Sequence, residues 1–198
     1  MAFPSTLVLD DFNTGALQAL TVRSGWGSGF LILGDVGLVT DATPSEAIAT
    51  GLSSNIWNSS YPAPQEAWLR FGSAVADGSL YVRADTASAN ISTGYRFRLT
   101  TGGVPSIQTW NALTLVTGPT QTAPSVGDSI GFSCFGPLLQ AFYKIGSGAW
   151  TEILRCYDTL YAGAGFIGME LATLGRVDAF GGGPMNIAQP SSPLITTR

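Results

Sequence analysis

The side chains with most scope for chemistry here are carboxylates, and their spacing argues against catalysis. Cleavage of a glycosidic bond uses two carboxyl groups about 5–9.5 Å apart on either side of the scissile bond. Asp10 and Asp11 are sequence neighbours, so an extended strand points them to opposite faces. Glu152 and Asp158 are separated by a stretch that enters a turn, and Glu170 and Asp178 fall on different expected strands. Histidine is absent, which removes Ser-His-Asp and Cys-His nucleophile systems and nearly all zinc sites. Gly163-Ala-Gly165-Phe-Ile-Gly168 fits G-x-G-x-x-G formally. A dinucleotide site needs a helix after the glycines and an acid about 20 residues further on. The residues after Gly168 read as strand, and Asp178 comes too early, so the segment is expected to be a glycine-rich turn entering a β-strand. The expectation is a protein without enzymatic activity.

Aromatic side chains offer binding rather than reaction. Trp57, Tyr61 and Trp68 straddle residues 55–65, a loop stiffened by Pro62 and Pro64. Trp and Tyr give large amphipathic contact surfaces, so Trp57 and Tyr61 are candidates to dock a neighbouring subunit or to stack on a sugar ring. Local packing is the competing reading for both. Trp68 is expected in the core, because residues 67–71 alternate.

Charge narrows the partners. Of 198 residues, 9 are basic and 13 acidic, for a net charge of −4, and charged residues are 11% of the chain. An ordinary domain carries about 25%. The basic residues are scattered singly, which disfavours nucleic acid and anionic membranes. No stretch reaches the roughly 18 apolar residues of a membrane span. Residues 1–10 lack a basic segment and their apolar run stops at Asp10, so no secretory signal is expected.

These residues must be positioned by short strands. The clearest alternation is Tyr95-Arg96-Phe97-Arg98-Leu99, with the aromatic face inward and both arginines in solvent. Similar runs occupy residues 7–12, 17–23, 30–33, 67–71, 79–83, 107–110, 112–117, 129–135, 138–145, 150–156, 164–171 and 176–180. One short helical turn is expected at residues 44–51, with Ser45 as its N-cap. Many short strands with frequent turns imply a β-sandwich or barrel. Cys134 and Cys156 lie on the outer strands of a three-strand meander, two spacings or roughly 9.6 Å apart. A disulfide needs Cα atoms within about 7 Å, so two free thiols are expected. After Gly181-Gly182-Gly183 the composition changes, and residues 184–198 are expected to be a Pro-rich extended arm following a domain at 1–183.

Several of these runs, taken in order, resemble the concanavalin A-like (laminin-G-like) jelly roll. Leu9-Asp-Asp-Phe-Asn-Thr-Gly15 is similar to its "DxFNR" opening, with Gly25-Trp26-Gly27 after it. Leu80-Tyr-Val-Arg-Ala-Asp85 and Gly94-Tyr-Arg-Phe-Arg-Leu99 resemble later strands. Gly127-Asp128-Ser-Ile-Gly-Phe132, Ala149-Trp150-Thr-Glu152, Asp158, and residues 163–182 with Asp178 and Phe180 complete a resemblance over residues 7–183. Thr14 replaces a common Arg, and residues 55–65 are inserted. The resemblance implies an all-β, two-sheet antiparallel β-sandwich. It implies first and last strands in one sheet, which would bring Asp11 near Asp178. These two acids are the candidate metal ligands, since hard oxygen ligands suit a structural calcium, and no other cofactor is expected. The alternative is that both acids cap turns or face water. The glucanase branch carries a Glu-x-Asp-x-x-Glu strand, which is missing here.

Such domains recur in tailed-bacteriophage virion proteins, especially minor tail proteins, and in bacterial glycan-binding or glycan-cleaving proteins. The resemblance implies a structural component of a phage virion, a decoration or tail-tip part on the particle exterior, assembled in the host cytoplasm. Its partners would be other virion proteins, further copies of itself as a homo-oligomer, and host-surface glycans. The alternative is a stand-alone carbohydrate-binding module or lectin, and behind it a glycan hydrolase.

Overall fold

Tyr95, Phe97 and Leu99 are fully buried, whereas Arg96 and Arg98 between them are only partly so. This period of two, repeated along the chain, gives strands with one apolar face each, and two such sheets close on one another. A computed structural model describes residues 3–13, 18–20, 23–27, 30–31, 38–40, 45–86, 93–110 and 113–186. In chain order the strands are β1 (Val8–Asp10), β2 (Gln18–Ala19), β3 (Phe30–Leu31), β4 (Leu38–Thr40), β5 (Ala47–Ala49), β6 (Ser53–Ile56), β7 (Gln65–Phe71) and β8 (Gly78–Ala84). They continue as β9 (Tyr95–Leu99), β10 (Pro105–Thr109), β11 (Thr114–Thr117), β12 (Ser129–Phe135), β13 (Leu138–Lys144), β14 (Thr151–Tyr157), β15 (Phe166–Leu171) and β16 (Arg176–Pro184).

One sheet has nine strands in the order β14-β13-β12-β7-β16-β5-β4-β2, with β1 also paired to β16. The other has seven, in the order β11-β10-β9-β8-β15-β6-β3. The fold is therefore an all-β antiparallel sandwich, and its first and last strands do share a sheet: Val8 lies opposite Gly181 and Asp10 opposite Phe180. Phe12, Leu69, Phe71, Leu80, Phe97 and Phe132 are fully buried members of one core cluster. Each such side chain contributes about 1.5–3 kcal/mol on burial, which makes this cluster the main source of stability.

Several local expectations need correction. Residues 47–49 form β5, paired with both β4 and β16, in place of the expected helical turn. The sheet wins because Ala47 and Ala49 are fully buried with half-exposed Ile48 between them, a strand pattern. Ser45 is not an N-cap; it has φ 57°. Trp68 is not in the core. Ala67, Leu69 and Phe71 take the inner face of β7, so parity sends Glu66, Trp68 and Arg70 outward. Arg96 is not solvated either. Its guanidinium donates to Glu170 and to Ser79 Oγ (3.1 Å), and Tyr81 donates to the same carboxylate at 2.5 Å. Arg98 pairs with Asp77 at 2.6 Å.

Other placements agree with the meander. Cys134 and Cys156 both lie opposite Leu139, on the two strands flanking β13, and neither is in a disulfide. Residues 163–165 turn into β15, as expected. β16 runs past residue 180 to Pro184, Met185 N donates to Pro64 O (3.1 Å), and Asn186 N donates to Ser5 Oγ (2.9 Å). The rest of the expected arm, 187–198, lies outside the described residues.

Candidate ligand-binding face

The outward side of the nine-stranded sheet is built by register. Trp68 on β7 lies between Gly131 on β12 and Gly181 on β16. Both glycines are needed there. A Cβ on Gly181 would come within 2.3 Å of the Trp68 ring, and one on Gly131 within 2.2 Å of the Phe3 ring. The next row on the same face carries Glu66, Ser133 and Gln140 in register.

The N-terminal segment is strapped over this face. Glu66, fully buried, accepts on Oε1 from Ser5 N (2.5 Å), Thr6 N (2.7 Å), Thr6 Oγ1 (2.7 Å) and Ser5 Oγ (3.2 Å). Hydrogen bonds to a charged group contribute about 1.5–3 kcal/mol each, so a fourfold clamp holds the strap down. Phe3 stacks on Phe142 (centroids 4.1 Å, planes 7° apart) and meets Trp150 edge-on at 4.9 Å.

The strap leaves an open depression on each side. A groove of about 280 Å³ crosses the strands from Asp11 and Val8, past Ala179, Trp68, Arg70 and Ser129, to Lys144 and Trp150. It spans β1, β16, β7, β12 and β13, so at about 4.8 Å per strand it is roughly 19 Å long. Trp68 and Trp150 are half-buried in it. Trp68 Nε1 is buried with no acceptor among the described residues, a state that costs about 1–3 kcal/mol. Lys144 Nζ sits 6.0 Å over the Trp150 ring, while Arg70 donates to Asp178 at 2.5 Å. On the other side, a cleft of about 360 Å³ is lined by Ser133, Gln140 and Glu152 among apolar walls that include Phe3 and Phe142.

The residues singled out in the sequence are placed elsewhere or differently. Trp57 is half-buried against the core: it meets Trp26 edge-on at 5.3 Å and Phe180 at 6.5 Å, and its ring covers Gly25. Tyr61 pairs through its backbone with Gly165, and burial pushes its phenol upward, opposed by hydrogen bonds from Trp57 and Ser59. Neither lines the groove or the cleft. Asp11 is exposed and accepts from Asn13 N at 3.1 Å. Asp178 is held by Arg70. Calcium takes about 6–8 oxygen ligands. No group of three or more acidic, Cys or His side chains suited to a metal occurs among the described residues, and a guanidinium already sits on one of the two acids. Asp11 and Asp178 thus do not fit a calcium site.

Asp10, the neighbour of Asp11, is the structural acid. It is buried and accepts from Phe12 N (2.8 Å), Trp26 Nε1 (2.8 Å), and Arg23 Nε (2.9 Å) and NH2 (2.5 Å). The Asp-x-Phe opening and the later tryptophan therefore form one local network. The outward residues Trp68, Trp150, Arg70, Lys144 and Ser133 were missed in the sequence. A strict period-two reading of Glu66–Phe71 would have found Trp68 and Arg70; the rest depend on which strands become neighbours.

No protein-family model matches the chain, and no curated protein matches it. Similar solved structures do exist. The carbohydrate-binding module CBM66 from Bacillus subtilis is 12% identical with a TM-score of 0.50, covering 71% of this chain and 83% of that one. A Bacillus subtilis protein of unknown function with a galectin-like fold is 10% identical, TM-score 0.54, covering 74% and 86%. The exoplasmic domain of VIP36 in its calcium- and mannose-bound form is 10% identical, TM-score 0.59, covering 94% and 92%. At these identities the likeness establishes the fold, a lectin-like jelly roll.

Proposed function

We propose that this chain is a non-catalytic carbohydrate-binding β-sandwich that receives a glycan in the groove on the outer face of its nine-stranded sheet. One observation carries the reading: two half-buried tryptophans face outward in a groove that also holds Lys144 and Arg70. Flat apolar rings suit the C–H face of a sugar, whose hydroxyls would accept from Lys144 and Arg70 at the groove. The similar structures include a carbohydrate-binding module and a mannose-bound domain, which supports a sugar ligand. The acids facing the groove and the cleft already have partners, Asp11 with Asn13 N and Glu152 with Arg155 and Gln140, which supports binding without cleavage. A glycan array should give saturable binding that falls at least about tenfold in Trp68→Ala and Trp150→Ala, the effect of one lost ring contact. Array-wide silence, or binding indifferent to both substitutions, would refute the groove.

A second reading takes the same scaffold as a subunit of a phage particle exterior. Phe135, Leu138 and Tyr157 stand side by side on β12, β13 and the edge strand β14, with Phe135 and Tyr157 44% and 70% exposed. An apolar row that ends on β14, the outermost strand of its sheet among the described residues, suits docking of further virion subunits or copies of this chain. Detection of the chain in purified particles, and loss of self-association in Tyr157→Lys, would establish this role; a monomer absent from particles would exclude it.

A further inference from the structure

The cleft beyond the strap has a chemistry of its own. Its floor holds Ser133, 1% exposed, whose hydroxyl has no partner among the described residues. Directly across on β7, Glu66 Oε2 is also buried without a partner, because all four strap donors converge on Oε1. Gln140 donates its amide N–H to Glu152 Oε2 at 2.6 Å, and its side chain lines the cleft beside Ser133. Glu152 also accepts from Arg155, so the floor offers acceptors with its one cleft-lining carboxylate already compensated. The walls are apolar: Phe3, Phe135, Leu138, Phe142 and Met185.

We propose that this cleft is a second ligand site, distinct from the groove, that takes one neutral pyranose ring and is completed by the N-terminal strap. Glu152, the one charged residue in the cleft lining, is compensated by Arg155, and the buried Glu66 carboxylate behind it disfavours an anion. The buried, unpartnered Ser133 hydroxyl, which can donate or accept, calls for a ligand that carries hydroxyl groups. Apolar walls around a polar floor call for a ring with one apolar face and a rim of hydroxyls. About 360 Å³ has room for a single pyranose ring. Phe3 is one of the walls, so the site exists only while Glu66 holds Ser5 and Thr6.

The site does not depend on the groove, and the test separates the two. Isotope-labelled full-length protein is titrated with the methyl pyranosides of glucose, mannose and galactose and with N-acetylglucosamine, with backbone amides and tryptophan indoles followed by NMR. At least one sugar should give saturable shifts at Ser133, Gln140 and Met185 while the Trp68 indole stays still. Ser133→Val and Gln140→Ala should each weaken it about tenfold, the effect of one lost hydrogen bond. Trp68→Ala should leave it unchanged. Deletion of residues 1–6 should abolish it in a protein that keeps its β-sheet spectrum. Shifts confined to the Trp68 and Trp150 indoles would overturn the second site and keep the groove. No response to any of the four sugars, or full affinity in folded Ser133→Val and Gln140→Ala, would overturn it as well.

Discussion

Asp10 shows how much one carboxylate organises here. It is 7% exposed and accepts four hydrogen bonds from Phe12, Arg23 and Trp26, including both ends of an Arg fork. Removing one partner of a buried ion pair leaves the other charge uncompensated, at a cost of about 3–5 kcal/mol. Asp10→Ala should therefore lose stability of that order in chemical denaturation, whereas Asp11→Ala, at an exposed turn, should lose less than about 1 kcal/mol. The sequence shows both acids side by side and does not say which is inside. Register decides it: Asp10 sits opposite buried Phe180. Trp68 and Trp57 make the same point in opposite directions. Trp57 stands in a proline-flanked loop and packs on Trp26, while Trp68 stands in an apolar run and faces outward.

Among the elements, the N-terminal strap is the one that no periodicity announces. Residues 3–6 form no strand, yet they cover Gly131 and bound both depressions. The strap requires a bare backbone beneath it. A methyl group at Gly131 would lie 2.2 Å from the Phe3 ring, so Gly131→Ala should expel the ring and forfeit the Phe3–Phe142 stack. Stacked aromatic pairs contribute about 0.5–1.5 kcal/mol beyond burial, and near-UV circular dichroism should register the change. Long strands such as β12 and β13 are legible because each is a seven-residue apolar-rich run, and Gly136-Pro137 separates the two. The short strands β4, β5 and β6 are not, since Ser53-Ser-Asn-Ile56 has no apolar alternation and is buried only because β15 and β3 flank it.

Across the sandwich as a unit, the two thiols set an alkaline limit. Burial pushes Cys134 up to about 11, an effect that the nearby Arg83 charge opposes. Burial, with the Asp158 charge beside it, pushes Cys156 up to about 11 as well. The unfolded thiols ionise near 9.0, so their contribution to stability is complete below that pH and is lost as pH rises through 11. For fully buried Cys134, the displacement from 9.0 to about 11 corresponds to about 3 kcal/mol. Denaturation midpoints should hold steady up to about pH 9 and then fall, and Cys134→Ala should flatten the fall. Alternation, turn residues and composition act between near neighbours. They were enough to dictate the β character of the chain and the separation of the cysteines, while the choice of a two-layered sandwich over a barrel rested on the resemblance to the jelly roll. Three features came only with the assembled sheets: the choice of Asp10 as the buried acid, the strap over Gly131, and the gathering of Trp68, Trp150, Ser133 and Gln140 on one face. Those placements depend on pairings such as β7 with β16, more than a hundred residues apart, and no local pattern encodes such a pairing.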